Sequence, residues 1–401
     1  MALPRYFRDD LFLHGITSFD PLSFLQANPK ICEKVRRLKL KGKIWETSPY
    51  KYYATTPLDD TVVVGFLQLL PKVERLDLWC FIYAHPPPQA SRAASHIGRP
   101  RRLRSCHVWF GEWLKDERDS SVSGLSRILS LFSSIRELRV RNSASKFSTS
   151  PPLDPAVLFH RHHRFRVRSI SIKEDVARDL DSLGGTLKLV NAFEASTEPG
   201  ILRALSVRCS SVAEVVAVGE LIAHARGALK TLDVGAEAQR FKSEQTNWED
   251  PLDGHWERLG LASCSKLECV EVHIHFRADS GDQDAPQPQQ DEDVRGPSLA
   301  AIGFSSQVSS TLREITIWLH GLPHATGVTL GLFEEGRLLG LQAFDEAITA
   351  DAFPRLKVVD VRMRFEPSFV DMCGEERREI LEAVRWKALP NLKRGGLLRV
   401  V

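Results

Sequence analysis

The sequence predicts an α/β protein built as an open solenoid, with parallel strands on its concave face and helices on its convex face. Two observations predict it. The spacing apolar-x-x-apolar-x-apolar returns along nearly all of the 401 residues, and segments of helical periodicity fill the intervals between its copies. The copies are Val35, Leu38, Leu40; Val73, Leu76, Leu78; Leu103, Cys106, Val108; Ile135, Leu138, Val140; Val167, Ile170, Ile172; and Leu202, Leu205, Val207. Four more follow at Leu229, Leu232, Val234; Leu267, Val270, Val272; Leu312, Ile315, Ile317; and Leu356, Val359, Val361, with a degraded eleventh from Leu392 to Leu397. Successive copies lie about 36 residues apart, inside the range of stacked-repeat folds. The last two apolar residues of each copy alternate with polar ones, the period of a strand with one buried face.

Between strands, helical spacing covers Asp59 to Leu70 before Pro71, Ser123 to Phe132, Asp175 to Leu183 before Gly184 and Gly185, and Val212 to Arg226 before Gly227. The last such segment, Glu375 to Leu389, puts Ile380, Leu381, Val384 and Ala388 on one stripe and stops at Pro390. Alternating strands and helices build a parallel sheet, because parallel neighbours need a crossover of about a dozen residues. A closed eight-unit barrel uses about 250 residues and would be overfilled. An open stack has no fixed unit count, since each unit's apolar side is completed by its neighbours. The expectation is one domain over 1–401 with about ten or eleven repeats. An acidic, Pro- and Gln-rich insertion at 278–298 reads as disordered.

Composition removes several function classes. Lys and Arg number 54 against 51 Asp and Glu, and a net charge of +3 does not demand a membrane or nucleic acid as partner. No apolar run reaches the ~18 residues of a membrane span. The opening MALPRYFRDD is charged where a signal peptide needs its apolar stretch, so the chain reads as soluble, in the cytoplasm or nucleus. Seven cysteines without a C-x-x-C pair argue against a disulfide framework or zinc ribbon and read as reduced core residues. There is no G-x-S-x-G, phosphate loop, G-x-G-x-x-G or H-E-x-x-H, so no enzyme activity and no cofactor are predicted. His160 to Arg168 packs three His and four Arg, but those arginines repel a cation and the stretch reads as a solvated basic loop. Arg99, Arg101, Arg102 and Arg104 lack interleaved aromatics, and nucleic acid is not the expected partner.

The repeated pattern resembles the L-x-x-L-x-L stretch of leucine-rich repeats, although the asparagine that normally follows is missing at most copies. The segments FLQANPKICEKVRRLKL, LGLASCSKLECVEVHI and LPNLKRGGLLRVV resemble the repeat region of basidiomycete F-box and F-box-like proteins, and the resemblance spans most of 19–401. It implies an irregular leucine-rich-repeat horseshoe. In that family the array binds a target protein, while a preceding F-box docks on the adaptor of a cullin-RING ubiquitin ligase. No such box is found here, and MALPRYFRDDLFLHG resembles the stretch just after one. The resemblance therefore implies the substrate-recognition part of a ligase subunit, reaching the adaptor only if an F-box is encoded upstream. A stand-alone repeat scaffold and an enzyme on a closed barrel are the alternatives.

In such a stack, the residues flanking the inward apolar pair point to the open face of the sheet. The candidate partner-binding residues are Arg37, Lys39, Trp79, His107, Trp109, Arg139, Arg141, Arg208, Glu271 and Trp318. Bases outnumber acids on this face over the first six copies, and acids outnumber bases over the next four. The face is predicted to be polarised and to bind an unidentified protein, with Trp79, Trp109 and Trp318 as anchors, because Trp and Arg dominate interface hot spots.

Overall fold

The computed structural model describes residues 5–7, 9–14, 21–42, 44–48, 51–54, 56–79, 81–83, 101–110, 125, 127–143, 166–175, 185–209, 211–236, 256–275, 311–322, 330, 333, 341–348, 352–365 and 374–401. The expected insertion at 278–298, residues 160–165 of the His- and Arg-rich stretch, and the expected helix beyond Asp175 lie outside them. The chain divides into two compact units, Met1–Leu202 and Arg203–Val401.

The first unit runs β1 (Arg5–Phe7), β2 (Asp10–His14), α1 (Pro21–Ala27), α2 (Pro29–Cys32), β3 (Arg37–Lys41), β4 (Ile44–Ser48), β5 (Lys51–Ala54), β6 (Thr56–Leu58), α3 (Asp60–Leu69), β7 (Arg75–Trp79), β8 (Phe81–Tyr83), β9 (Arg101–Phe110), β10 (Phe132–Ser143), β11 (Arg166–Asp175) and α4 (Gly185–Ser196). Its main sheet has the order β1-β2-β3-β7-β9-β10-β11, parallel except for β1 against β2. Two small pairings, β4 with β5 and β6 with β8, branch from it.

The second unit runs β12 (Ala204–Cys209), α5 (Val212–Ala225), β13 (Thr231–Ala236), short turns at Trp256–Leu259 and Leu261–Ser263, β14 (Cys269–His275), β15 (Glu314–Leu322), α6 (Leu341–Ala347), β16 (Val358–Phe365), α7 (Gly374–Ala383), a wide turn at Val384–Ala388, α8 (Pro390–Arg394) and β17 (Leu398–Val400). Strands β12 to β17 pair in chain order and are all parallel.

The apolar pattern sets the register. Leu38, Leu76, Cys106, Leu138 and Ile170 fall opposite one another in the first unit, as do Leu205, Leu232, Val270, Ile315 and Val359 in the second. All ten are buried. Covering one such aliphatic side chain contributes roughly 1.5–3 kcal/mol, so a one-residue slip, which would turn a whole row to solvent, is strongly disfavoured. A backbone device ties successive strands. The carbonyl of the residue just before each strand accepts two consecutive N–H groups of the next: Asp9 from Arg36 and Arg37, Arg36 from Glu74 and Arg75, Glu74 from Arg104 and Ser105. Arg203, Lys230 and Glu268 repeat this in the second unit.

The helices confirm some boundaries and move others. Helix α3 is capped by Asp59, whose Oδ1 accepts from Val62 N at 3.0 Å, and α5 by Ser211, as N-cap chemistry demands. Phe132, expected to end a helix, opens β10, and Gly185, expected as a stop, opens α4. Pro390 ends one segment and also starts α8, where a proline at the first turn forfeits no bond. The cap of α8 comes from far away: both carboxylate oxygens of buried Asp345 accept from Asn391 N and Leu392 N at 2.8 Å. The last strand is Leu398–Val400, a few residues beyond the expected eleventh copy, and Leu392 lies in α8 instead. Strand β2 is a copy the spacing misses, because Arg8 holds its first apolar place while Leu11 and Leu13 fill the core. The five described cysteines are free thiols, four of them buried. No described helix is long and apolar enough to cross a membrane.

Candidate functional site

Alternation along each strand lifts one set of side chains away from the core, and the register aligns them in rows. In the first unit one row reads Lys41, Trp79, Trp109, Arg141, Lys173, and the row beside it Lys39, Asp77, His107, Arg139, Ser171. In the second unit the matching rows read Arg208, Gly235, His273, Trp318, Arg362, and Ser206, Asp233, Glu271, Thr316, Asp360. The ten candidate residues thus form two clusters. One unites Arg37, Lys39, Trp79, His107, Trp109 and Arg141, with Arg139 paired alongside to Glu137; the other unites Arg208, Glu271 and Trp318.

The first cluster is built on Asp77, which is almost fully buried although it belongs to the outward row. The Arg37 guanidinium reaches its Oδ2 at 2.6 Å, and His107 Nδ1 lies 3.2 Å from Oδ1, off the line of a straight hydrogen bond. Burial alone would raise this carboxyl, but His107 and Arg37 outweigh it and hold the pKa below the usual carboxylate value. Trp79 and Trp109 meet edge to face with centroids 4.7 Å apart. The Lys39 ammonium stands 3.9 Å from the Trp79 ring and 5.0 Å from Phe12, and the Arg141 guanidinium 5.7 Å from Trp109. These are cation–π distances.

The second cluster is a closed polar network. Asp233 accepts from Ser206 Oγ at 2.6 Å and from Arg208 at 2.7 Å, and His273 Nε2 lies 3.1 Å from both Asp233 and Glu271. Trp318 Nε1 donates to Glu271, and His273 Nδ1 is 2.8 Å from His320 Nε2. The rings of His273, Trp318 and His320 lie nearly parallel. Burial would raise the Asp233 carboxyl, yet the His273 and Ser206 hydrogen bonds and the Arg208 charge hold it far below the ordinary range. Glu271 is lowered chiefly by its bond to His273. Asp233, Glu271 and His273 have the composition of a metal-ligand set, with ligand atoms within 4.8 Å of one another, but Arg208 already supplies positive charge there. At the end of this face Asp360, fully buried, is held by Arg362 and Arg399.

Sequence reasoning misses Phe12, because β2 escaped the pattern, and His320, because β15 extends beyond the repeated triplet. Asp77, Asp233 and His273 sit in the same alternation as the candidates, but their convergence depends on tertiary reach rather than spacing. No family model matches the chain, and no curated protein matches it. The fold and face define a class: an α/β protein with parallel sheets whose exposed rows join arginines and lysines to tryptophan.

Proposed function

We propose that the chain is a protein-recognition module of stacked, leucine-rich-repeat-like units in a horseshoe, binding its target through the open face of the sheet. The in-register rows that set Trp79, Trp109 and Trp318 among cations carry this reading, since such side chains dominate interface energetics. The proposal includes no catalytic role, no cofactor and no membrane partner. Site-specific photo-crosslinking tests it. A benzophenone residue replacing Arg139 or Arg364 on the sheet face is expected to yield adducts with a discrete protein, and one replacing Gln68 on α3 or Glu220 on α5 is not. Adducts from the helix positions alone would overturn the reading.

The resemblance to F-box repeat regions adds a cellular role: substrate recognition within a cullin-RING ubiquitin ligase, in the cytoplasm or nucleus. The full gene product is expected to co-purify with the cullin adaptor. Partner capture without adaptor would leave a stand-alone scaffold.

A further inference from the structure

The two faces differ in what their charges are doing. In the second unit each acid of the network already meets a cation or a donor: Asp233 meets Arg208, Glu271 meets His273 and Trp318, and Asp360 meets two arginines. In the first unit the imbalance runs the other way. Arg104, Arg136 and Arg168 lie in register across β9, β10 and β11, one residue before the row Ser105, Glu137, Ser169, and all three are exposed. With strands about 4.8 Å apart, the three positions span an edge about 10 Å long. Arg75 adds charge on the adjoining row. Lys41 and Lys173 stand on the row of Trp79 and Trp109, five residues or about 16 Å farther along the strands, on the other side of the strip a chain crossing them would occupy. Among the described residues no acid forms an ion pair with any of these six.

We propose that the open face of Met1–Leu202 binds an extended acidic segment of a partner protein, its carboxylates held by the Arg104–Arg136–Arg168 edge and by Lys41, Arg75 and Lys173. This rests on the recognition reading above and names the chemistry of the partner. Lys41 and Lys173 stand four strand spacings apart, about 19 Å, which about six residues of extended chain would span. Clustered like charges without a paired acid among the described residues raise the local potential and attract the opposite sign. Nucleic acid fits less well, because single strands bind by stacking bases on open aromatic faces. Trp79 carries the Lys39 ammonium on its ring, Trp109 carries Arg141, and the two rings meet each other edge to face. A base would have to displace those cations, whereas a peptide carboxylate can bind beside them.

Fluorescence anisotropy of the full chain tests this with a labelled twelve-residue peptide of Asp, Glu, Ser and Gly. Its Asn/Gln counterpart and an oligouridylate of equal length serve as the other probes. The acidic peptide is expected to bind and to weaken with added salt. The triple variant Arg104→Gln, Arg136→Gln, Arg168→Gln is expected to lose at least about tenfold in affinity, at up to about fivefold per exposed pair. A variant of equal charge change in the second unit, Arg258→Gln, Arg355→Gln, Lys357→Gln, is expected to bind as the parent does. Equal losses in both triples, equal binding of the amide peptide, or tighter binding of the oligouridylate would each overturn the proposal. If crosslinks still map to the sheet face in any of those cases, only the acidic partner is lost. If they map to the helices, the recognition reading falls with it.

Discussion

The same row position holds Trp79 and Trp109 in the first unit and Gly235 and His273 in the second. That exchange changes what the neighbours can do. Two large rings keep the cations above them and leave Asp77 buried beneath. A glycine lets Arg208 and His273 close over β13 and meet on Asp233. A Cβ at position 235 would lie 2.7 Å from His273 Cβ and 2.9 Å from its carbonyl oxygen, closer than real contacts allow. One repeat pattern thus produces one face whose cations stand over rings and another whose charges meet on a shared acid.

The most direct way to break this comparison is Gly235→Val. Overpacking against a neighbouring backbone is expected to cost about 3 kcal/mol. Urea unfolding followed by hydrogen exchange should show the loss in β13 and β14, while β7 and β9 keep their protection. An unchanged midpoint would mean that the close approach does not hold the network together.

The buried carboxylates give the next largest effect. Asp77→Asn is expected to cost about 2 kcal/mol at neutral pH, the scale of charge-assisted hydrogen bonds lost from a buried group. Acid sharpens the contrast. A native pKa held below the unfolded value of about 4 adds stability that is complete above that pH and disappears as pH falls toward the native value. Asp233 is held further below than Asp77, so protection of β13 should fall more steeply between about pH 4 and pH 2 than that of β7. Hydrogen exchange corrected for intrinsic rates measures both slopes, and Asp77→Asn and Asp233→Asn should each flatten only its own. Parallel slopes in the parent would show that the two carboxylates are held alike.

The strands and their register were legible because a period of two with a fixed offset leaves one solution for the core, and Leu38 to Val361 occupy it as expected. The second position of every copy, from Arg36 and Glu74 to Arg313 and Lys357, is also charged. That signal was present in the chain, yet its meaning depends on the carbonyl bonds between strands, as in the Arg36–Glu74 pair at 2.8 Å. Asp345 could not be read as a cap, because its target helix lies 46 residues away and only packing brings them together. The candidate face was legible as a set of directions. Which charges pair across it was not, because a long arginine reaches several acids and spacing does not choose among them.

The smallest effects test the cations above the rings. Arg362 lies 5.2 Å from the Trp318 ring and 3.2 Å from Asp360. Arg362→Met is expected to cost about 1 kcal/mol, because Asp360 keeps Arg399 and an exposed cation–π pair is worth about that or less. Among the described residues Lys39 forms no such ion pair, and it sits between Trp79 and Phe12. Burial disfavours its charge and lowers its pKa, and the attraction of the rings works against that penalty. Lys39→Met keeps the packing stem and removes both effects, so stability at neutral pH should stay within about 0.5 kcal/mol of the parent. The sign appears in alkali. A lysine lowered in the native state makes the parent gain stability as pH rises from the native value toward the ordinary lysine value of about 10.4. Thermal melts across that window should show this gain in the parent and none in Lys39→Met. A parent that instead loses stability there would mean that the rings outweigh burial, and Lys39 would be a net stabilising cation at neutral pH.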